Sequence, residues 1–364
     1  MPTEKRIAVL TSGGDCPGLN AVIYGVVRSA AQLNKKIIGF NDGYEGIIAP
    51  GGDYVELDHV STSGIVHLGG TILGTTNRGN FNARRKGKGS LHIPNEILQK
   101  ARQTFDELSL EGLVVIGGDG SLSTALYLHQ KGFPVVGVPK TIDNDLDATA
   151  VTFGFDSAVA CVTDSLDRLH TTAESHKRIM VLEVMGRDSG WIALYGGLAG
   201  GADIILIPEI PFDYERIARV IRQREEAGNK STMIVVAEGA APRTGKKHHY
   251  NVSHGEYRLG GIGNRVATEI HKLTKKDVRS CTLGHLQRGG PPTMFDRNLG
   301  IRFGVRAAQL IKEKKFGSMV SYQNDQITSV PLADAVHRTR RIKSDDQVLE
   351  AARAVGIVFA GTRR

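Results

Sequence analysis

"VIGGDGSLSTA", residues 115–125, decides how this chain is read. A run of β-branched residues stops at Gly117, Gly118, Asp119, Gly120 and Ser121. Glycine loses more conformational freedom on ordering than any other residue, so a cluster of glycines needs a reason. One reason is a tight strand-to-helix turn. The other is a backbone that must come close to a ligand. The same grammar recurs in "VLTSGGDCPGLNAVI", residues 9–23. There an apolar segment runs into Gly13, Gly14 and Asp15. Leu19, Val22, Ile23, Val26 and Val27 then follow at helical spacing. "VPKTIDND" (138–145) and "VMGRDSG" (184–190) end two further apolar runs. In an open parallel sheet, ligands bind beyond the carboxyl ends of the strands. Four such ends bearing Gly, Asp, Thr, Lys or Arg suggest one shared crevice.

The length, 364 residues, fits two domains or one large α/β unit. Hydrophobic residues make up 40% and charged residues 23%, which supports a packed core and speaks against wholesale disorder. Cys16, Cys161 and Cys281 are widely spaced and odd in number, which argues against a disulfide framework or a zinc site. The opening "MPTEKRIAVL" has no long apolar run, so no secretory signal is expected and the expected compartment is cytoplasmic. A net charge of +8 is compatible with nucleic acid, an anionic small substrate or simply a basic surface. No DNA-binding motif or aromatic-rich platform accompanies it, so neither nucleic acid nor membrane is expected as a partner.

Apolar runs alternate with helical patterns along most of the chain, which predicts a mostly parallel α/β sheet. Strands are expected over 7–10, 36–40, 112–116, 134–138, 179–184, 203–207, 232–237 and 279–283. Helices are expected over 19–33, 122–131, 156–171, 191–199, 214–227, 263–273 and 295–312. A lobe boundary is expected after Ala150. The polar stretches 77–90 and 241–261 read as solvated loops, Arg78 excepted. The tail from His337 reads as an amphipathic helix with a basic approach.

Successive glycines at 117–120 expose backbone N–H groups to phosphate oxygens, and a helix dipole adds to the attraction. Asp119 would repel a bare phosphate but suits Mg²⁺ shared with phosphates. Ser121 is a helix N-cap, a phosphate ligand, or both. On an extended segment, Asp143 and Asp145 would point the same way. That is costly for two carboxylates unless a metal or proton relieves them. They are either an Asx-turn cluster or a general base with a metal-linked carboxylate, with Thr141 orienting the pair. Arg178, Arg187, Arg279 and Arg288, with His285, suggest bidentate phosphate recognition. Glu238 is a candidate acceptor for a sugar hydroxyl.

Taken together, "LTSGGDCPGLNA", "GGTILG", "VIGGDGS", "PKTIDND", "FGFDSA", "MGRDSGW", "AEG" and "LGHLQRGG" resemble the phosphofructokinase family of bacterial type, in the family's order. The resemblance runs from Ile7 to about Gly304. It implies two Rossmann-like lobes with mostly parallel sheets and an active site in the cleft between them. Residues 1–150 with about 290–335 would form the phosphoryl-donor lobe, and 151–289 with about 336–364 the sugar lobe. The implied reaction is ATP-dependent phosphorylation of fructose 6-phosphate at O1, assisted by Mg²⁺. Position by position, Asp143 is the implied base, supported by Thr141 and Asp145. Asp119 serves the metal. Gly14, Arg78, Gly117, Gly118, Gly120, Ser121 and Lys140 line the donor phosphates. Met185, Gly186, Arg187, Glu238, His285 and Arg288 hold the sugar phosphate, with Arg187 also stabilising transition-state charge. Arginines matching Arg178 and Arg279 reach in from a neighbouring subunit in the family, which implies a homo-oligomer, expected to be a homotetramer.

The donor signature is mixed. In the family, glycine at the position of Gly120 leaves room for a nucleotide, whereas aspartate goes with pyrophosphate. Lysine at the position of Lys140 goes with pyrophosphate. A steric block is harder to evade than an added cation, so ATP is the expected donor. The alternatives are a pyrophosphate-dependent enzyme and a sugar-phosphate-binding regulator without turnover. Arg28 matches one arginine of the family's effector site, but Tyr24 replaces the other and cannot pair with phosphate bidentately.

Overall fold

The computed structural model describes residues 5–76, 79, 81, 84–86, 90–245, 247, 249–251, 257–336 and 338–361. The chain divides into two compact units. One comprises 1–142, 146–156 and 288–338; the other comprises 143–145, 157–287 and 339–364. Both are α/β with mostly parallel sheets.

The first unit carries a seven-stranded sheet. Its five central strands are parallel: Ser318–Gln323, Val135–Pro139, Leu110–Gly117, Arg6–Ser12 and Lys36–Phe40, in that spatial order. Strands buried on both faces read as unbroken apolar runs rather than as alternating ones. Leu113, Val114, Val115 and Ile116 are accordingly all fully buried. Antiparallel strands Gln326–Pro331 and Tyr54–Leu57 close the two edges. The sequence reading missed both. The first joins Ser318–Gln323 through Asn324 and Asp325, both at positive φ (48° and 62°), the backbone a two-residue hairpin turn requires. Helices Leu19–Gln32 and Met294–Lys312 approach closely. A Cβ on Gly304 would stand 2.2 Å from the Val22 carbonyl oxygen, so only glycine permits this contact.

The second unit carries four parallel strands, in the order Val278–Thr282, Ile179–Val184, Thr232–Ala237 and Ile204–Leu206. Helices Tyr214–Glu226 and Ile262–Thr274 bury Ile217, Ile221, Val266 and Ile270 against Ile179, Val181, Ile234 and Val236. Asp213 caps the first of these helices, accepting from the backbone N–H groups of Glu215 and Arg216. The tail is helical only over Gln347–Ala354, capped by Asp346. Its basic approach is not helical among the described residues. There Trp191 Nε1 donates to the Arg340 carbonyl, and the Ile342 N–H donates to Glu209.

Glu209 pins that approach to the helix Trp191–Ala199, because its Oε1 also accepts the Gly190 N–H at 3.1 Å. Burial pushes its carboxyl above the ordinary range, against the pull of those N–H groups and Arg341. A carboxyl raised in the folded state stabilises the fold below its ordinary value of 4.5, and that contribution is lost as pH climbs through the raised value. Glu209→Gln keeps an acceptor for both N–H groups but does not titrate. The melting temperature of the wild type should therefore fall more steeply than that of the variant as pH rises above 4.5. Parallel pH profiles in thermal unfolding would contradict this.

Candidate active site

Register brings the sequence motifs of the first unit together. Ser12 pairs with Gly117, and Gly117 with Pro139, so three neighbouring strands end at one level. The segments that follow them are Gly13–Asp15, Gly118–Ser121 and Lys140–Thr141. The Lys140 N–H donates to the Gly117 carbonyl at 2.9 Å, and the Gly13 N–H to the Thr76 carbonyl at 3.2 Å. Arg288 packs against the first loop: its Nη1 donates to the Asp15 carbonyl at 3.1 Å and sits 3.0 Å from where a Gly14 Cβ would be.

The helix Asp119–Gln130 starts three residues earlier than expected. Gly118 takes its cap position, and no side chain caps it among the described residues. Its first-turn N–H groups and positive dipole end are suited to an anion. Ser121 is therefore not the cap. It lies in the first turn, and its hydroxyl donates to Ser12 Oγ at 2.9 Å. Tyr44 donates to the Ser121 carbonyl at 2.7 Å, and full burial pushes its phenol well above the ordinary range. Asp119 and Gly120 are exposed, and a Cβ on Gly120 would meet nothing within 4 Å. Lys140 is buried, 4% exposed. It lies near Cys16, whose thiol burial pushes up to about 12 against the opposing field of Lys140. Arg78 lies outside the described residues.

Asp143 and Asp145 do not sit on an extended segment. Asn144 between them adopts φ 51°, a left-handed conformation that asparagine tolerates. The argument that both carboxylates share one face of a strand therefore fails. Asp143–Asp145 belong to the second unit, where Ser189 Oγ donates to the Asp143 carbonyl at 3.3 Å. The Arg340 N–H donates to the Asp145 carbonyl at 2.8 Å. Thr141 belongs to the first unit, and its carbonyl accepts from Thr152 Oγ1 at 2.7 Å.

In the second unit, Val184 pairs with Ala237 and Glu183 with Thr282. Met185–Arg187, Glu238 and His285 thus follow three neighbouring strand ends. Gly186 has φ 134°, and a Cβ there would stand 2.7 Å from the Ser189 carbonyl oxygen. The Gly186 carbonyl accepts the Gly239 N–H at 3.0 Å, which ties the "MGRDSG" loop to the "AEG" loop. Arg187 is exposed, as is His285. The sequence reading missed Gln287. It is 1% exposed, and its side chain accepts the Met185 N–H at 3.2 Å and donates to the Gly284 carbonyl at 3.1 Å. Its place in "GHLQRGG" was the available signal.

Arg178 and Arg279 lie at the other end of the same sheet. Arg178 precedes the strand Ile179–Val184, and Arg279 pairs in register with Met180. Both bind Asp277, at 2.6 and 3.2 Å. A strand of six residues spans roughly 20 Å, so this arginine pair and Met185–Arg187 of the same chain lie at opposite ends of the strand Ile179–Val184. In the first unit, Arg28 stacks on Tyr24, 4.9 Å from the ring centroid, and hydrogen-bonds to His59.

The family model for phosphofructokinase matches residues 6–311. The chain is 49% identical over 356 residues to a Chloroflexus aurantiacus protein named ATP-dependent 6-phosphofructokinase, the match covering 98% of both. It is 45% identical over 359 residues to a Streptomyces coelicolor protein named pyrophosphate–fructose 6-phosphate 1-phosphotransferase, covering 97% of this chain and 99% of that one. Among solved structures it resembles phosphofructokinase from Saccharomyces cerevisiae, with a TM-score of 0.79 and 28% identity over 97% of this chain. The chain spans about half of that solved chain, 47% of its length. Motif order, strand-end geometry and near-complete alignment agree, and the chain belongs to the phosphofructokinase family.

Proposed function

We propose that this protein transfers the terminal phosphoryl group of ATP to O1 of fructose 6-phosphate, giving fructose 1,6-bisphosphate and ADP. The observation that carries the reading is its 49% identity, along nearly the whole chain, to a relative named for that activity. The exposed Gly120, with open space before it, supports a nucleotide as donor. Asp143 accepts the O1 proton as O1 bonds to phosphorus and the bridging oxygen leaves with ADP. Thr141 and Asp145 orient Asp143. Arg187 compensates charge on the transferring group. Gly14, Arg78, Gly117, Gly118, Gly120, Ser121 and Lys140 surround the donor phosphates. Met185, Gly186, Glu238, His285 and Arg288 hold the sugar phosphate.

No cluster of three or more His, Cys, Asp or Glu side chains suited to a metal occurs among the described residues. An exposed carboxylate at a helix start, Asp119, fits an ion that arrives on phosphates, since Mg²⁺ is commonly held by one or two carboxylates plus substrate oxygens. When bound, Mg²⁺ neutralises phosphate charge. No helix among the described residues is long and apolar enough to cross a membrane. The compartment that suits these charged substrates is the cytoplasm.

Lys140 and the 45% identical Streptomyces coelicolor relative favour a second reading, with pyrophosphate as donor. Phosphorus NMR of the product formed from fructose 6-phosphate and magnesium–ATP tests the main reading: a new phosphate ester at O1 is expected. No product with either donor would refute both readings.

Arg178 and Arg279 serve fructose 6-phosphate in a neighbouring subunit. Their place, a full strand length from Met185–Arg187, supports sites shared within a homo-oligomer, which we take to be a homotetramer. Arg178→Ala and Arg279→Ala should each raise KM for fructose 6-phosphate well over tenfold, with KM for ATP little changed. Mixed oligomers of Arg178→Ala and Asp143→Asn chains should regain activity. No regain in verified mixed oligomers would mean that each site is built within one chain.

A further inference from the structure

Arg187 is the one exposed cation of the "MGRDSG" loop, and its nearest acidic neighbour in sequence is Asp188. Carboxylate–guanidinium pairs are among the stronger polar contacts. An Arg187 engaged in that way would be lost to a phosphate. In the structure Asp188 turns elsewhere. Among the described residues it pairs with Lys247, whose Nζ stands 2.8 Å from Asp188 Oδ1. The same ammonium donates to the Arg187 carbonyl at 2.5 Å. Lys247 thus holds the loop at two successive residues. Lys247 and Asp188 are both partly shielded, with side chains 33% and 43% exposed. Lys247 comes from the polar stretch 241–261, which the sequence reading treated as a solvated loop.

The second element of the arrangement is the backbone on which Arg187 sits. A Cβ on Gly239 would stand 2.0 Å from the Arg187 carbonyl oxygen, so the "AEG" loop packs directly under it. The carbonyl is therefore fixed between Gly239 and the Lys247 ammonium. This leaves the Arg187 side chain as the part of the residue still able to choose a partner. Lys247 removes the competing choice by neutralising Asp188.

We infer that Lys247 is a positioning residue for phosphoryl transfer: it sequesters the Asp188 carboxylate and so keeps the Arg187 guanidinium available to substrate. The inference rests on the phosphofructokinase reading and on the role of Arg187 within it. It concerns a residue whose contacts are to the Arg187 carbonyl and the Asp188 carboxylate. Its effect runs through charge, so it makes a claim that mere loop stability does not. Removing the lysine should release Asp188 to capture Arg187, and removing Asp188 as well should undo the damage.

The test is a double-mutant cycle in the full-length protein, with steady-state kinetics in magnesium–ATP and fructose 6-phosphate. Lys247→Met keeps the apolar stem and removes the charge. It should lower kcat about tenfold and leave KM for ATP within about twofold of wild type. Asp188→Asn alone should stay within about twofold of wild type, and Lys247→Met with Asp188→Asn should recover to within about threefold. Lys247→Arg should retain activity. Should Lys247→Met fail to fold, Lys247→Gln carries the same expectation, loss followed by rescue. Wild-type kcat in Lys247→Met, or a loss that Asp188→Asn does not rescue, would overturn the inference. A wild type without fructose 6-phosphate kinase activity would instead refute the functional reading on which it rests.

Discussion

Asp143→Asn is expected to lower kcat by roughly 10²–10⁴-fold and to leave fructose 6-phosphate binding largely intact. The expectation follows from how the residue is held. Its backbone is fixed by contacts that do not involve the carboxylate: Ser189 Oγ donates to its carbonyl, and Asn144 beyond it takes the left-handed turn. Asparagine has the same shape and places an amide where the carboxylate was. The variant therefore keeps these backbone contacts and loses proton acceptance. A phosphoryl acceptor that keeps its O1 proton is a poor nucleophile, and no conservative change of pH restores the missing base. Calorimetry with fructose 6-phosphate and single-turnover rates with magnesium–ATP separate binding from chemistry. Near-wild-type single-turnover rates would remove Asp143 from the role of base.

Gly120→Asp is expected to abolish ATP turnover, lowering kcat/KM by roughly 10³-fold or more, without destabilising the protein. A Cβ at this position meets nothing within 4 Å, and the residue lies in the first turn of the helix Asp119–Gln130. An acidic residue there complements the helix dipole, so the melting temperature should hold or rise slightly. The same carboxylate would occupy the space that favours an anion and would repel donor phosphates. Loss of activity with stability retained is the diagnostic pair. ATP turnover within about tenfold of wild type would show that this opening does not admit the nucleotide.

Much of the architecture was legible because buried parallel strands announce themselves. The segments around Val115, Val136, Val181 and Val235 are apolar at consecutive positions, and each stops at glycine or charge. Those stops marked the candidate site as well, since register aligns the strand ends that carry them. The edge strands were not legible. Tyr54–Leu57 and Gln326–Pro331 are largely exposed or half-buried and interrupted by polar residues, so no unbroken apolar run signals them. The carboxylates at 143 and 145 were read on the wrong backbone, because a left-handed Asn144 leaves no trace in the spacing of the aspartates. Ser121 was open between cap and ligand, because the start of a helix after a glycine run depends on which backbone turns first. Gln287 and Lys247 act through contacts to Met185 and to Arg187 and Asp188, distant in sequence, and spacing carries no record of such pairs.

The donor is where ATP and pyrophosphate chemistry part at this site. Gly120 is exposed beside open space, whereas Lys140 is buried behind the strand end at Pro139. Space at Gly120 leaves room for a nucleotide donor, and a buried cation does not by itself select pyrophosphate. The deciding measurement is kcat/KM of the wild-type protein for ATP and for pyrophosphate, with saturating fructose 6-phosphate and matched free Mg²⁺. The account predicts turnover with ATP and little or none with pyrophosphate. A larger kcat/KM for pyrophosphate would contradict it.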